Sequence, residues 1–352
     1  LKNLSIITSS EEFSEAAVQE ARQGDPKVRP ERTLAPGVTL ISSQLDFENL
    51  AGVLSLLEPV FVRHICPVYG TVPLENGLAD LPKLAQAISQ LPKISEHLDE
   101  GTPFSVQVRF VDDNPNRAYS AFAVKEEVAG MVIGQTAAIE NIKSPEIVIS
   151  VVIGNGEAFF GVSYVEENLS SWAGGMRRYA RDDGQVSRAE FKILEALEIF
   201  GLTLPETGTA LDLGAAPGGW SRVLLAAGLH VIAVDPAELD PRLLGNPNLE
   251  HYHGHADEYL RLSLLQKREF EIIVSDLRMD AWLAAEVMGR ARNLLIPNGF
   301  AFTTLKLPHA APRQNPVLIM NRALDTLRRF YPTVRAKQLF HNRQEVMVLL
   351  KS

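Results

Sequence analysis

Cysteine is nearly absent from this sequence: Cys66 is the single one in 352 residues. One thiol excludes an intramolecular disulfide and any multi-cysteine metal site, and its scarcity fits a cytosolic address. Long apolar runs are missing too. No stretch is long enough to span a bilayer, and no basic segment leads into an apolar one, so neither a membrane span nor a leader is expected. Positive charge is in deficit, with 34 Lys and Arg against 43 Asp and Glu and a net charge of −9. That balance disfavours indiscriminate capture of polyanions, so any contact with nucleic acid must come from a local basic surface. Internal repeats and low-complexity tracts are also lacking. What remains is ordinary globular composition, at a length that exceeds one common core and suits two or three domains. The sequence leaves the oligomeric state open.

The organisation changes along the chain. Residues 1–75 read as strand, helix, strand, strand, helix, strand, which is the order of a small ferredoxin-like unit. Its pieces are Leu4–Thr8, Glu11–Arg22, Lys27–Leu34, Gly37–Ser42, Asp46–Leu57 and one strand over Val60–Val72. Asp46 is placed to cap the second helix. Residues 76–170 form a second α+β domain. It has helices near Leu78–Leu91 and Ala118–Ile133, and a strand Phe104–Val111 whose Val106, Val108 and Phe110 share one face. Gly154-Asn155-Gly156 joins the strands Glu146–Ile153 and Glu157–Tyr164 as a hairpin. The polar stretch Glu166–Val186 is the expected boundary.

Residues 171–352 alternate strand and helix, the pattern of a doubly wound α/β sheet. Strands read at Thr209–Leu213, Leu229–Asp235, Leu249–His253, Glu271–Asp276, Gly299–Lys306, Thr333–Phe340 and Glu345–Leu350, with a helix Ser187–Phe200 ahead of them. The connection His341–Gln344 is too short for a parallel crossover, so the last pair must be antiparallel. A mostly parallel seven-stranded sheet with one antiparallel strand is a Rossmann-like arrangement.

The strongest motif follows the first of these strands. In Asp212-Leu213-Gly214-Ala215-Ala216-Pro217-Gly218-Gly219-Trp220-Ser221 the glycines permit a tight turn and close approach of a ligand, and a helix is expected to start near Pro217. The spacing is not Gly-x-Gly-x-x-Gly, which disfavours a nicotinamide dinucleotide. Asp212, Gly214, Ala216, Pro217, Gly218, Gly219 and Trp220 are therefore candidate cofactor residues. Asp235, about twenty residues past the turn, suits both hydroxyls of a ribose, although a helix cap also explains it. Asp257 suits an adenine amino group, with helix capping again the alternative. His251, His253 and His255 alternate, but no cysteine or tight carboxylate cluster completes a metal shell, and no metal is expected.

Four further residues draw attention as a set: Lys192 on the helix Ser187–Phe200, Asp276 and Lys306 at the ends of the fourth and fifth strands, and Glu345 at the start of the last. Each alone has an ordinary explanation. Lys192 can pair with Glu195, Asp276 can cap the next helix, Lys306 can be a strand-end charge, and Glu345 can pair with Arg343. Arg177, Arg178, Arg181 and Arg188 cluster at the domain boundary with Trp172 and Tyr179. Arginines and aromatics suit phosphates and unpaired bases, while Asp182 and Asp183 dilute the charge.

Ser187-Arg188-Ala189-Glu190-Phe191-Lys192, the Gly214–Trp220 turn, Ser275-Asp276, Leu305-Lys306 and Glu345 together resemble the FtsJ-like RNA 2′-O-methyltransferases. The resemblance implies a Lys192-Asp276-Lys306-Glu345 tetrad, S-adenosylmethionine as methyl donor, and RNA as partner. It also implies that Asp276 borders the donor and that Ser187 touches it, although Ser187 and Glu190 equally form a capping box. Leu305-Lys306-Leu307-Pro308 and Gln338–Val346 resemble a branch of that family that methylates a cytidine ribose of 23S ribosomal RNA and carries an N-terminal THUMP domain. Over residues 1–160 the resemblance rests mainly on domain order. It makes Lys306 the general base, its proton loosened by the Lys192 cation and by partial burial. Residues 1–165 would then choose the RNA.

Other chemistries fit less well. Ser275-Asp276-Leu277-Arg278 lacks the proline-rich segment of exocyclic-amine methylation, and Cys66 lies outside the domain in which a cytosine-C5 nucleophile would be needed. A noncatalytic RNA-binding or assembly factor that keeps the fold, and a small-molecule methyltransferase, are the competing functions. Transfer of methyl groups to bulk RNA separates them from the leading one.

Overall fold

A computed structural model of the chain describes residues 3–180, 182, 184–311 and 314–352. The chain divides into two compact units between Met176 and Arg177.

The first unit holds two sheets. β1 (Asn3–Thr8), β2 (Arg29–Ala35), β3 (Val38–Ser43) and β4 (His64–Val68) form a four-stranded sheet in the order β2-β3-β1-β4, with every neighbouring pair antiparallel. Helices α1 (Ser14–Gly24) and α2 (Phe47–Leu57) alternate with these strands. Asp46 caps α2 as expected, its Oδ1 accepting from the Asn49 N–H at 2.9 Å.

The apolar run Val60–Val72 is two strands rather than one. β4 stays in the first sheet, whereas β5 (Gly70–Pro73) pairs with a strand of the second. The chain turns beside the ring of Phe160, where any side chain on Gly70 would overlap that ring. β4 is buried throughout, whereas in β5 only Val72 is buried, and a run this short carries no periodicity that marks the break.

The second sheet runs β5-β9-β8-β6-β7, from β6 (Pro103–Phe110), β7 (Ile139–Glu140), β8 (Ile147–Gly154) and β9 (Glu157–Tyr164). Asn155 and Gly156 take positive φ at the β8–β9 turn, which closes the expected hairpin. Val106, Val108 and Phe110 of β6 face a core shared with α3 (Asp80–Ser89), α4 (Pro92–His97) and α5 (Ala121–Thr136). The other face meets the first sheet, where Ile6, Leu40, Cys66 and Val68 pack on Val152 and Phe159.

In the second unit α6 (Ala189–Phe200) precedes β10 (Thr209–Leu213), α7 (Gly219–Ala226), β11 (His230–Val234), β12 (Leu249–Tyr252), α8 (Ala256–Leu265) and β13 (Phe270–Ser275). Then come α9 (Ala281–Ala291), β14 (Leu295–Lys306), α10 (Pro316–Leu327), β15 (Thr333–Lys337) and β16 (Glu345–Lys351). The seven strands lie in the order β12-β11-β10-β13-β14-β16-β15. All pairs are parallel except those of β16, which runs against both neighbours. This is the mostly parallel Rossmann-like sheet that the strand–helix alternation and the short His341–Gln344 connection predict. Strands covered on both faces need continuous apolar stretches, and β10, β11 and β13 supply them. Order reverses between β10 and β13, so the crevice beyond their carboxyl ends is the natural ligand position. Among the described residues no helix is long and apolar enough to cross a membrane.

Candidate active site

β10 delivers its turn into that crevice. Gly214 has φ +78°, and a Cβ there would also press on Leu277 across the opening, so a side chain is excluded on two counts. Gly218 has φ +106° and is the N-cap of α7. Its left-handed backbone separates Pro217 from the helix, so Pro217 ends the turn instead of opening α7. Gly219 abuts the Ser187 side chain.

Asp235, just past β11, holds this turn. Its Oδ2 accepts from the Ala216 N–H at 3.1 Å and its Oδ1 from the Ala237 N–H at 2.8 Å. No helix begins there, so capping does not explain it. Asp212 is 1% exposed and accepts from the Ser221 hydroxyl at 2.7 Å. Burial pushes its carboxyl up to about 7, against the hydrogen bond from Ser221 and with the help of the negative charges of Asp276 and Asp235.

Three of the expected cofactor residues have partners within the chain. Trp220 is 3% exposed in the core of the unit, and its indole N–H donates to the Ala189 carbonyl at 2.7 Å. The helical phase of α7 turns it inward, where it ties α7 to α6. Asp257 does not cap α8, whose N-cap is His255; it is exposed and pairs with Arg290 at 2.5 Å. Ser187 and Glu190 form half of a capping box. Glu190 accepts from the N–H groups of Val186 and Ser187, but the Ser187 hydroxyl accepts from Ala189. Arg222 draws the other oxygen of Glu190 at 2.6 Å.

The four charged residues come together in a closed ring. Lys192 Nζ lies 3.0 Å from Asp276 Oδ2 and 2.6 Å from Glu345 Oε1. Lys306 Nζ lies 2.5 Å from Asp276 Oδ1 and bonds Glu345 Oε2. The fold produces this directly. Antiparallel register sets Lys306 opposite Glu345, Asp276 follows the neighbouring parallel strand, and α6 brings Lys192 over them. The carboxylates stand between the two lysine Nζ atoms, so each lysine faces two anions, whereas the sequence reading set the Lys192 cation directly against Lys306. Burial works against the Lys192 charge, but Asp276 and Glu345 outweigh it and hold its pKa above the ordinary lysine value. Burial likewise opposes ionisation of Asp276, and the two lysines with the Thr304 hydroxyl overcome it, so its pKa is lowered.

None of the ordinary pairings for these residues occurs. Asp280, not Asp276, is the N-cap of α9. Glu195 is 2% exposed and turns away from Lys192 to accept from the N–H groups of Phe340 and His341 and from His341 Nδ1 at 2.7 Å. It thereby clamps the loop that leads to Glu345. Asn342 joins the ring from that loop, donating to Glu345 Oε1 at 3.2 Å. Thr304, Asn342 and Glu195 are the positioning residues that sequence reasoning missed. The signal was faint: Glu195 lies on the same helix as Lys192, and Thr304 is two residues before Lys306 on one strand face.

The arginines at the boundary are less uniform. Arg177 bonds Glu198 at 2.7 Å and lies over the Tyr179 ring, which itself stacks on Phe191. Arg178 and Arg188 are exposed, Arg188 as the N-cap of α6. Arg181 lies outside the described residues.

A protein from Marinomonas sp. named ribosomal RNA large subunit methyltransferase M is 27% identical, covering 96% of this chain and 94% of its own. One of the same name from Shewanella putrefaciens is 29% identical over 78% of this chain and 76% of its own. The crystal structure of TrmN from Thermus thermophilus superposes with a TM-score of 0.41 at 17% identity, covering 99% of this chain and all of that one, 100%. Residues 185–321, within the C-terminal unit, match the family model of the FtsJ-like methyltransferases.

Proposed function

We propose that this chain transfers a methyl group from S-adenosylmethionine to a ribose 2′-hydroxyl of RNA, a cytidine of 23S ribosomal RNA, with Lys306 as proton acceptor. The observation that carries the reading is the Lys192-Asp276-Lys306-Glu345 ring at the carboxyl ends of β13 and β14. The relatives named ribosomal RNA large subunit methyltransferase M support the substrate class.

The residues of the crevice suit the donor. Gly214 and Gly218 leave the turn without side chains. A carboxylate offers about four acceptor positions, and Asp235 spends one on each oxygen within the chain, which leaves capacity for a vicinal diol. Bound S-adenosylmethionine supplies a methyl carbon already activated by its sulfonium. The chain must supply what the acceptor lacks, because a ribose hydroxyl is a poor nucleophile until its proton is removed. Two carboxylates hold Lys192 as a standing cation. Lys306, more exposed than Lys192, is the acceptor for that proton. Lys306 would take the hydroxyl proton as the acceptor oxygen is methylated, and S-adenosylmethionine, when bound, would supply the methyl group and the leaving group. Asp276 and Glu345 receive the resulting ammonium in place, and in-line positioning contributes much of the rate. Residues 1–165 recruit the RNA, and Arg177, Arg178, Arg181 and Arg188 contribute phosphate contacts.

The test is methyl transfer by the full chain to 23S ribosomal RNA from a strain lacking the enzyme, with the modified nucleotide mapped. Lys306→Ala is expected to lower turnover by roughly 100-fold or more while S-adenosylmethionine affinity stays within a few-fold. Near-normal turnover of the variant sinks the proton-acceptor assignment. Methylation of a base atom sinks the ribose reading.

A further inference from the structure

Beyond the donor crevice, the edge of the same sheet gathers three metal-ligating side chains. His251 lies on β12 and His253 two residues on, so strand alternation turns both to one side. Glu238, in the segment after Asp235, reaches the same place. One ligand atom from each of Glu238, His251 and His253 lies within 4.8 Å of the others, and the two imidazole centroids are 3.8 Å apart. His253 Nδ1 is 3.9 Å from the Glu238 carboxylate.

A second observation concerns the protonation of His251. Its Nε2 lies 3.1 Å from the backbone carbonyl of Asp235. A carbonyl only accepts, so Nε2 carries the hydrogen and the Nδ1 of the neutral ring is left with its lone pair. A ring N–H anchored on a backbone carbonyl is the usual second contact of a metal-bound histidine, since it fixes the tautomer and raises the basicity of the other nitrogen. Neither neighbour shares this feature in full: His253 is exposed, and His255 serves as the N-cap of α8.

We infer that Glu238, His251 and His253 form a binding site for a divalent transition ion of the zinc class, with solvent completing the coordination. Two imidazoles and one carboxylate suit Zn²⁺ and its neighbours and do not suit Mg²⁺, which takes oxygen ligands. Bonds of about 2 Å in a tetrahedron set ligand atoms roughly 3.3 Å apart. The gap from the observed spacing closes by side-chain rotation of Glu238 and His253, both exposed. The site revises the expectation from sequence that no metal is held, which looked for a cysteine or a tight carboxylate cluster and not for a lone glutamate thirteen or more residues away. An ion bound at His251 Nδ1 would strengthen the Nε2–H bond to the Asp235 carbonyl, just past the end of β11.

Calorimetric titration of the tag-free full chain with ZnCl₂, and with MgCl₂ in parallel, tests this. One saturable Zn²⁺ equivalent is expected, no Mg²⁺ binding, and weakening as the histidines protonate at acid pH. His251→Ala, His253→Ala and Glu238→Gln should each weaken Zn²⁺ by roughly tenfold or more, and the rise in melting temperature on adding Zn²⁺ should vanish in the His251→Ala/His253→Ala double variant. His255→Ala should bind as the parent does. Absence of saturable Zn²⁺ binding overturns the site, as does parent-like affinity in the double variant, or a His255→Ala loss equal to that of His251→Ala.

Discussion

Asp212 gives the sharpest test of how the crevice is built. It is 1% exposed at the centre of the parallel sheet, and its folded carboxyl titrates near 7 instead of the ordinary 3.8. The folded state therefore binds the proton more tightly than the unfolded state. Between those two values stability falls as pH rises, and above about 7 the whole penalty is present. A shift of about three units at 1.36 kcal/mol each amounts to about 4 kcal/mol, a large share of the 5–15 kcal/mol that typically holds a domain together. Asp212→Asn keeps the shape and lets the amide oxygen accept from Ser221, but it cannot ionise. The variant should match the parent near pH 4 and become more stable as pH rises, by about 2–4 kcal/mol at pH 8 once an imperfectly paired amide is allowed for. Urea unfolding across that pH range, followed by tryptophan fluorescence in a Trp172→Phe background, reports the C-terminal unit through Trp220 and Trp282. A gain that does not change with pH, or a uniform loss, would refute the burial argument.

His64 carries the opposite dependence in the N-terminal unit. Its ring is fully buried, with neither nitrogen bonded among the described residues, and burial together with the Arg109 charge brings its pKa down to about 3. The unfolded histidine protonates near 6.5, so stability is intact above that value and drains away as pH falls toward 3, by at most about 5 kcal/mol; His64→Leu should flatten the acid limb in hydrogen exchange of the β4 segment, and an unchanged limb would count against the assignment. Gly218→Ala should destabilise the C-terminal unit by about 1–3 kcal/mol, since φ +106° suits only glycine and a Cβ would overlap Leu243. A thermal melt equal to that of the parent would show that the turn relaxes at no cost.

Much of the fold was written in patterns that need no long-range knowledge. Apolar stretches at β10 and β13, each followed by a helix, point to a parallel sheet, and the four-residue link before Glu345 requires reversal of the final strand. That reversal also made the ring readable in outline. Once β16 runs back along β14, a lysine at the end of one strand and a glutamate at the start of the other fall opposite each other, as Lys306 and Glu345 do. What escaped were features decided by helical phase or by partners far apart in the chain. Trp220 follows two glycines and looks ligand-facing, but its place on α7 points it at Ala189. Asp257 looks like a helix cap, but His255 is the N-cap of α8 and Asp257 pairs with Arg290 on another helix.

Glu195 shows the limit most clearly. Three residues after Lys192, it is the obvious helical partner for that lysine, and local rules assign the pair a few tenths of a kcal/mol. The fold offers both residues something stronger. Lys192 meets two carboxylates on other strands, and Glu195 meets three donors from the loop before β16. A buried carboxylate is stable only when fully hydrogen-bonded, so the loop that satisfies Glu195 is held in one conformation, and Glu345 at its end is held with it. The local pair is given up because two distant networks, one that sets Lys192 and one that sets Glu345, are each stronger than the exposed i,i+3 contact that they replace.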